Sequence, residues 1–189
     1  MSDIKIQNTE RNDYMKTREY YGQTRGCPIL SNEDLKRMHP RYVIKNKMTE
    51  LADHSYLPSE FPDKDETSIK IKDRLLEVGG TRIIMPMFDE DTEKIESRGQ
   101  FWLGSRAIMR IGRPSQCHAN SANLYSANKD KLRICTGYAL SEDGIWRQHS
   151  WCIWGKENFN RIVETTLGRV LYYGFVMEPD ECEEFCSWY

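Results

Sequence analysis

The 189-residue sequence contains no long apolar run and no strong excess of charge of either sign. No stretch approaches the roughly 20 consecutive apolar residues that a membrane-spanning helix needs. The 27 Lys and Arg residues nearly balance the 29 Asp and Glu residues, so the overall basic charge typical of nucleic-acid-binding proteins is missing. The first residues, MSDIKIQNTE, have neither the apolar core of a signal peptide nor the acid-poor composition of a transit peptide. We therefore expect a cytoplasmic protein that binds neither nucleic acid nor a membrane.

Two common binding signatures are also missing from the sequence. There is no Cys-x-x-Cys pair of the kind that holds zinc, and no glycine-rich loop or Gly-x-Gly-x-x-Gly motif that would cradle phosphates. We therefore expect neither a metal nor an organic cofactor. A metal site using Cys117, His118 and His149 is the weaker alternative, because these residues lack the close paired spacing of metal ligands.

The composition is polar but predicts a folded chain. The 5 Trp, 10 Tyr and 6 Phe residues supply large pieces for a core, and the length fits one domain with an extension. Residues 1–64 are polar and interrupted by prolines, which predicts an irregular N-terminal extension with short helices. One such helix is expected over residues 32–38, with Ser31 as its cap. Residues 65–189 carry the clearer patterns and form the predicted main domain.

The patterns within that domain predict an α+β fold. Apolar spacing favours a helix between Glu66 and Gly79, then a strand in TRIIMPMF. A charged loop or short helix follows over residues 88–99, and residues 101–112 fit a strand or a buried helix. A helix beginning near Cys117 precedes four apolar, β-branched runs separated by turn residues. These runs are LRICTGYAL, RQHSWCIW, NRIVETT and RVLYYGFVM. We expect a helix packed on an antiparallel meander of about four or five strands.

Six cysteines raise the possibility of thiol chemistry. Cys117 follows the turn GRPSQ and opens a predicted helix, where the positive end of the helix dipole favours the thiolate. The thiolate is the nucleophilic form of cysteine, so this position suits a catalytic thiol. The other five cysteines fit structural or incidental positions in strands, a loop and a C-terminal helix. They are Cys27, Cys135, Cys152, Cys182 and Cys186.

A base and an orienting acid follow Cys117 along the chain. His149 lies in a predicted strand 32 residues after Cys117, and Glu164 lies in the next strand, 15 residues further. Neighbouring antiparallel strands can place these two side chains next to each other. Glu164 would then accept a hydrogen bond from one ring nitrogen of His149 while the other nitrogen faces Cys117. This is the nucleophile, base and orienter arrangement of thiol acyl transfer.

The order of these residues resembles the core of transglutaminase-like proteins, within the wider papain-like class of cysteine enzymes. The resemblance covers residues 112–176. Four elements match, in this order along the chain. They are Cys117 at the start of its helix; Arg133 together with residues 136–138 (Thr-Gly-Tyr); residues 149–151 (His-Ser-Trp); and residues 162–166 (Ile-Val-Glu-Thr-Thr). The family usually has Asp where this chain has Glu164, and an acidic or aromatic residue where this chain has His118.

The resemblance implies a papain/transglutaminase-like core and a thioester intermediate on Cys117. The acyl group would come from a small molecule, a peptide or a carrier protein, and would pass to water or to an amine. The Cys117 N–H would bind the oxyanion. Further oxyanion or substrate-binding residues are expected at Gln116, His118, Tyr138, Trp146 and Trp151. A transglutaminase-like binding module without activity is the main alternative, and a metal-dependent hydrolase is a weaker one; the oligomeric state stays open.

Overall fold

A computed structural model describes residues 29–30, 66–84, 89–154 and 161–189 of the chain. Most of the predicted extension, including the helix expected over residues 32–38, lies outside the described residues. Ile29–Leu30 forms a short strand, β1, so this part of the predicted extension contributes to the sheet of the main domain.

The described residues form four α-helices, one short 3-10 helix and eight strands. The helices are α1 (Glu66–Val78), α2 (Asp89–Arg98), α3 (Cys117–Ser126) and α4 (Pro179–Ser187). The remaining strands are β2 (Arg82–Ile84), β3 (Gln100–Leu103), β4 (Ile108–Met109), β5 (Leu132–Leu140), β6 (Ile145–Trp154), β7 (Arg161–Glu164) and β8 (Leu171–Val176). Gly104–Arg106 is the 3-10 helix. The α+β class is as predicted.

The sheet is larger than predicted and is not a meander. Its strand order is β1-β3-β8-β5-β6-β7-β4. Strand β2 is outside this linear order and pairs with β6. Strand β8 does not follow β7 in space; it crosses to the far side of β5 and pairs there, with Gly137 opposite Gly174. The pairs β2–β6 and β4–β7 are parallel, whereas the other pairs are antiparallel. The sheet is therefore antiparallel-dominated, with eight described strands in place of the expected four or five.

The central strands are buried on both faces, which explains their nearly continuous apolar sequences. Alternate residues of β5, such as Ile134 and Tyr138, pack in one cluster with Leu75 of α1 and Tyr125 of α3. The intervening residues belong to a second cluster on the opposite face. Its members are Trp102, Cys135, Ala139, Trp151, Ile153, Ile162 and Tyr172.

Two sequence segments that allowed alternatives are resolved by this packing. The charged stretch predicted as a loop or short helix is helix α2, whose Ile95 is fully buried among the core side chains. The stretch predicted as a strand or buried helix forms β3 and β4, with the 3-10 helix between them. In α1, Ile71, Leu75 and Val78 face the core at helical spacing, whereas the apolar Ile69 is 41% exposed and lies off this face.

One edge of β6 has a gap in its strand pairing, and this gap positions the site described below. Strand β2 pairs with β6 from Ile145 to Arg147. Strand β7 pairs with the same strand from Cys152 to Trp154. Residues 148–151 of β6 lie between these two stretches, and on this edge no described strand pairs with them. His149 therefore lies where a side chain of another element can reach it at the edge of the sheet.

Among the described residues, no helix has both the length and the apolar character required to cross a membrane.

Candidate active site

Helix α3 begins at Cys117, as the sequence predicts. The turn before it contains Ser115 in a left-handed conformation (φ 59°), and Gln116 caps the helix without a side-chain hydrogen bond. The first backbone bond of the helix joins the Asn120 N–H to the Gln116 carbonyl at 2.8 Å. The N–H groups of the first helical turn therefore have no acceptor within the helix, and they give the helix end that carries Cys117 a positive partial charge.

The Cys117 thiol is half-buried and lies between two histidines. Burial is the strongest single influence on its pKa and acts to raise it. Hydrogen bonds from the His118 and His149 side chains, with the charges of both rings, outweigh burial together and lower the pKa from 9.0 to about 5. Near neutral pH, Cys117 is therefore a thiolate, the form that attacks carbonyl carbons.

His149 and Glu164 form a buried pair. His149 Nε2 lies 2.8 Å from Glu164 Oε2, and the two side chains are 2% and 0% exposed. Because Nε2 is bound to the carboxylate, Nδ1 is the ring nitrogen left for Cys117. Burial acts to lower the pKa of His149, but the Glu164 charge and the hydrogen bonds to Cys117 and Glu164 raise it to about 9. The imidazole is therefore protonated at neutral pH.

Both oxygens of the Glu164 carboxylate accept hydrogen bonds. Its Oε1 accepts hydrogen bonds from the N–H groups of Thr165 and Thr166 at 2.9 and 2.7 Å, and from the Thr166 hydroxyl at 2.9 Å. Its Oε2 also accepts the Tyr172 hydroxyl at 2.7 Å. Burial acts to raise the pKa of this carboxyl, but the charge of His149 and these donors lower it from 4.5 to about 2. Glu164 is therefore a fixed anion that orients His149 and stabilises its positive charge.

Aromatic rings cover the His149–Glu164 pair. The Trp151 ring stacks on His149 with a centroid separation of 6.2 Å and an interplanar angle of 17°. The Tyr172 ring lies 6.1 Å from His149 and 4.9 Å from Trp151. Trp151 thus lies beside the His149–Glu164 pair, and its role in substrate binding stays a prediction. Sequence reasoning missed Tyr172, because β8 was expected beside β7 and its contact with Glu164 depends on the crossing to β5.

His118 belongs to the site as well. Its Nδ1 lies 2.7 Å from the Ser150 hydroxyl, which in turn donates to Thr136 Oγ1 at 3.1 Å. The face of the ring stacks on Tyr189, with a centroid separation of 5.7 Å and an interplanar angle of 17°. The Phe185 ring lies 6.1 Å away. The ring is thus held on three sides beside the thiol.

Three other predicted site residues lie elsewhere. Tyr138 and Trp146 are fully buried in the core cluster on the opposite face of the sheet from Trp151, and the Trp146 indole donates to the Gly79 carbonyl at 2.7 Å. Alternation along β6 explains this, because even-numbered Trp146 faces away from odd-numbered His149. Gln116 is exposed at the start of α3, and only its backbone has a described bond.

Asn120 ties the nucleophile helix to the chain beyond Glu164, a role that no sequence motif indicates. Its side-chain oxygen accepts the Arg113 N–H at 3.0 Å, and its amide donates to the Arg113 carbonyl at 2.8 Å. The Gly112 N–H in turn donates to the Thr165 carbonyl at 2.8 Å. These bonds fix the distance between the elements that carry Cys117 and Glu164.

The other described cysteines differ from Cys117 in their surroundings. Cys135, Cys152 and Cys182 are buried, and burial raises the pKa of each thiol above its ordinary value. Cys186 is half-buried on α4, where its thiol approaches the Ala122 carbonyl at 3.6 Å. Cys27 lies outside the described residues. Cys117 is the one described cysteine whose pKa is lowered.

Within residues 29–30, 66–84, 89–154 and 161–189, no group of three or more His, Cys, Asp or Glu side chains is arranged to hold a metal ion. Comparison of the chain with protein-family models, with curated proteins and with solved structures gives no match.

Proposed function

We propose that this protein is a cysteine-dependent acyl-transfer enzyme that works through a thioester on Cys117. The observation that carries the proposal is the buried His149–Glu164 pair at 2.8 Å, together with the lowered pKa of Cys117, to which a hydrogen bond and the charge of His149 contribute. A thiolate, an imidazolium and a buried carboxylate in this order match the requirements of thiol acyl transfer.

The first half-reaction follows from the charges of the resting site. The Cys117 thiolate attacks the carbonyl carbon of the acyl donor, and a C–S bond forms. The developing oxyanion accepts hydrogen bonds from the N–H groups of the first turn of α3, the Cys117 N–H among them. When the carbon–leaving-group bond breaks, His149 Nδ1 gives its proton to the leaving amine, alcohol or thiol. Glu164 keeps the ring oriented through this transfer.

The second half-reaction releases the acyl group. Water attack on the thioester gives a carboxylic acid, and attack by an amine gives an amide; the Cys117 sulfur leaves with the electron pair of the C–S bond in both. The acyl donor is a small molecule, a peptide or a thioester on a carrier protein. The Trp151 ring, which excludes water from the His149–Glu164 pair, favours chemistry in a low-dielectric site.

The arrangement of elements supports a papain/transglutaminase-like core within the α+β fold. The nucleophile begins a helix, the base lies on a long central strand, and the acid ends the strand next to it. Three of the elements that match the resemblance in sequence are α3, β6 and β7, and both α3 and β7 contact β6.

The proposal is tested by trapping the thioester. The full chain is mixed with p-nitrophenyl acetate, quenched in acid, and analysed by intact mass and peptide mapping. We expect one acetyl group per chain, on the peptide that contains Cys117, formed in a burst of p-nitrophenolate.

Cys186 supplies the matched control, because it is also a half-buried free thiol. It lies near the C-terminal end of α4, which packs beside the same sheet. The Cys186→Ala variant should keep the burst, whereas Cys117→Ala should lose it. Acetylation spread over several cysteines, or a burst that survives in Cys117→Ala, would refute the assignment and favour a binding module with an unreactive thiol.

A further inference from the structure

We propose that His118 is a second catalytic histidine, which accepts the proton of the acceptor when water or an amine attacks the thioester on Cys117. This inference rests on the proposed function. It assigns the two half-reactions to two different imidazoles: His149 serves the leaving group, and His118 serves the acceptor.

The hydrogen bonds of His118 set its tautomer. The Ser150 hydroxyl donates its single proton to Thr136 Oγ1 at 3.1 Å, so its oxygen acts as the acceptor toward His118 Nδ1 at 2.7 Å. Nδ1 therefore carries the proton. Nε2 is then the nitrogen that donates to the resting thiolate. When the sulfur is acylated this hydrogen bond is lost, Nε2 releases its proton to solvent, and its lone pair can accept the proton of the acceptor.

The accessibility of the two histidines favours this division of roles. His149 is 2% exposed and lies between Glu164 and the Trp151 ring. His118 is half-buried, and the Tyr189 ring that stacks on it is 56% exposed. An acceptor that arrives from solvent therefore meets His118 before it can reach His149.

The ring of His118 is also held as a catalytic group requires. Ser150 fixes one edge, Tyr189 covers a face, and Phe185 lies 6.1 Å away. His118 directly follows Cys117 at the start of α3, and both histidines contribute to lowering the pKa of its thiol, so each acts where the thioester forms. A base that is already oriented loses little entropy when the acceptor binds.

The step balances without another reactant. The acceptor's proton moves to His118 Nε2 as its oxygen or nitrogen bonds to the carbonyl carbon. The C–S bond then breaks, and its electron pair returns to Cys117 as the thiolate. The proton taken up by His118 remains on Nε2, which again donates to the thiolate, and His149 regains from solvent the proton that it gave to the leaving group. Together these two events restore the resting site.

The test separates the two half-reactions in the His118→Asn variant. The Asn amide can donate to Ser150 in place of Nδ1–H, but it cannot accept a proton. Because the variant loses the His118 hydrogen bond that lowers the pKa of Cys117, the burst is measured at a pH where iodoacetamide alkylation shows Cys117 to be fully ionised in both proteins. With p-nitrophenyl acetate as donor at that pH, we expect the burst of p-nitrophenolate to stay within about threefold of wild type. Decay of the acetyl-enzyme in water, followed by intact mass, should slow at least about 100-fold, the lower range for a lost general base.

Hydroxylamine distinguishes a lost base from a distorted site, because this strong nucleophile attacks thioesters without help from a base. It should discharge acetyl-Cys117 in His118→Asn at nearly the wild-type rate. If water and hydroxylamine are slowed equally, or if decay in water is unchanged, the role of His118 is refuted while the proposed function stands. If the wild-type chain itself forms no acetyl-enzyme, the proposed function fails and the role of His118 fails with it.

Discussion

Replacing His149 with Ala is expected to slow acetylation of Cys117 by an amide or alkyl ester donor by about 1,000-fold at pH 7. Two losses combine in this variant. The hydrogen bond and positive charge of His149 no longer lower the pKa of Cys117, so less thiolate is present at pH 7. The group that protonates the leaving amine or alkoxide is also removed. The measurement is the rate of acetyl-enzyme formation by quenched-flow mass spectrometry.

The donor p-nitrophenyl acetate isolates these two losses in the same variant. Its leaving group departs without a proton, so His149→Ala should be slowed less with this donor than with an ethyl ester. Equal slowing with both donors would show that His149 acts only on the thiolate. Unchanged rates with both would remove His149 from the mechanism.

Replacing Glu164 with Gln is expected to lower both acyl transfer and stability. Without the carboxylate, only Cys117 opposes the effect of burial, so the pKa of His149 falls and less of the ring is protonated near neutral pH. The amide can also donate toward His149 and disturb its tautomer, and we expect acyl transfer to fall at least about 100-fold. Breaking the buried pair should cost about 3 kcal/mol of unfolding free energy at pH 7, measured by urea denaturation.

The stability loss in Glu164→Gln should depend on pH in a defined direction. The folded-state pKa of Glu164, about 2, lies below its ordinary value of 4.5. Its ionised form therefore stabilises the folded state fully above pH 4.5, and this contribution is lost as the pH falls toward 2. The stability difference between wild type and Glu164→Gln should shrink over that interval. A difference that stays constant from pH 6 to pH 3 would contradict the buried charge pair.

Glu181 offers a matched control, because its pKa is also lowered to about 2. Its carboxylate binds Arg98 at 2.9 and 3.0 Å on the surface of α4 and has no bond to the site. Glu181→Gln should therefore leave acyl transfer near the wild-type rate. A loss of activity equal to that of Glu164→Gln would show that the effect is one of stability alone.

The juxtaposition of Cys117, His149 and Glu164 could be predicted from the sequence because each step is local. The turn before Cys117 signals a helix start, and short turns between apolar runs make β6 and β7 neighbours. The side-chain alternation of β6 is equally local, and it separates Trp146 from His149.

The position of β8 could not be predicted in the same way. An apolar strand such as β8 can pair with any strand that is buried on both faces. Its sequence pattern therefore does not predict whether it pairs with β7 or with β5. Its pairing with β5 brings Tyr172 to Glu164, and the gap in the pairing of β6 arises because β2 and β7 share one edge. Both features depend on contacts between residues far apart in the chain.

The most direct test of the account is the pH dependence of Cys117 alkylation by iodoacetamide in the wild-type chain, followed by peptide mapping. The thiolate reacts and the thiol does not, so the rate follows ionisation of Cys117. A pKa lowered to about 5 predicts a rate that rises to half its plateau near pH 5 and is flat through neutrality. A rate that keeps rising to half-maximum near pH 8.5, the range of an ordinary thiol, would contradict the thiolate–imidazolium pair at the centre of the proposal.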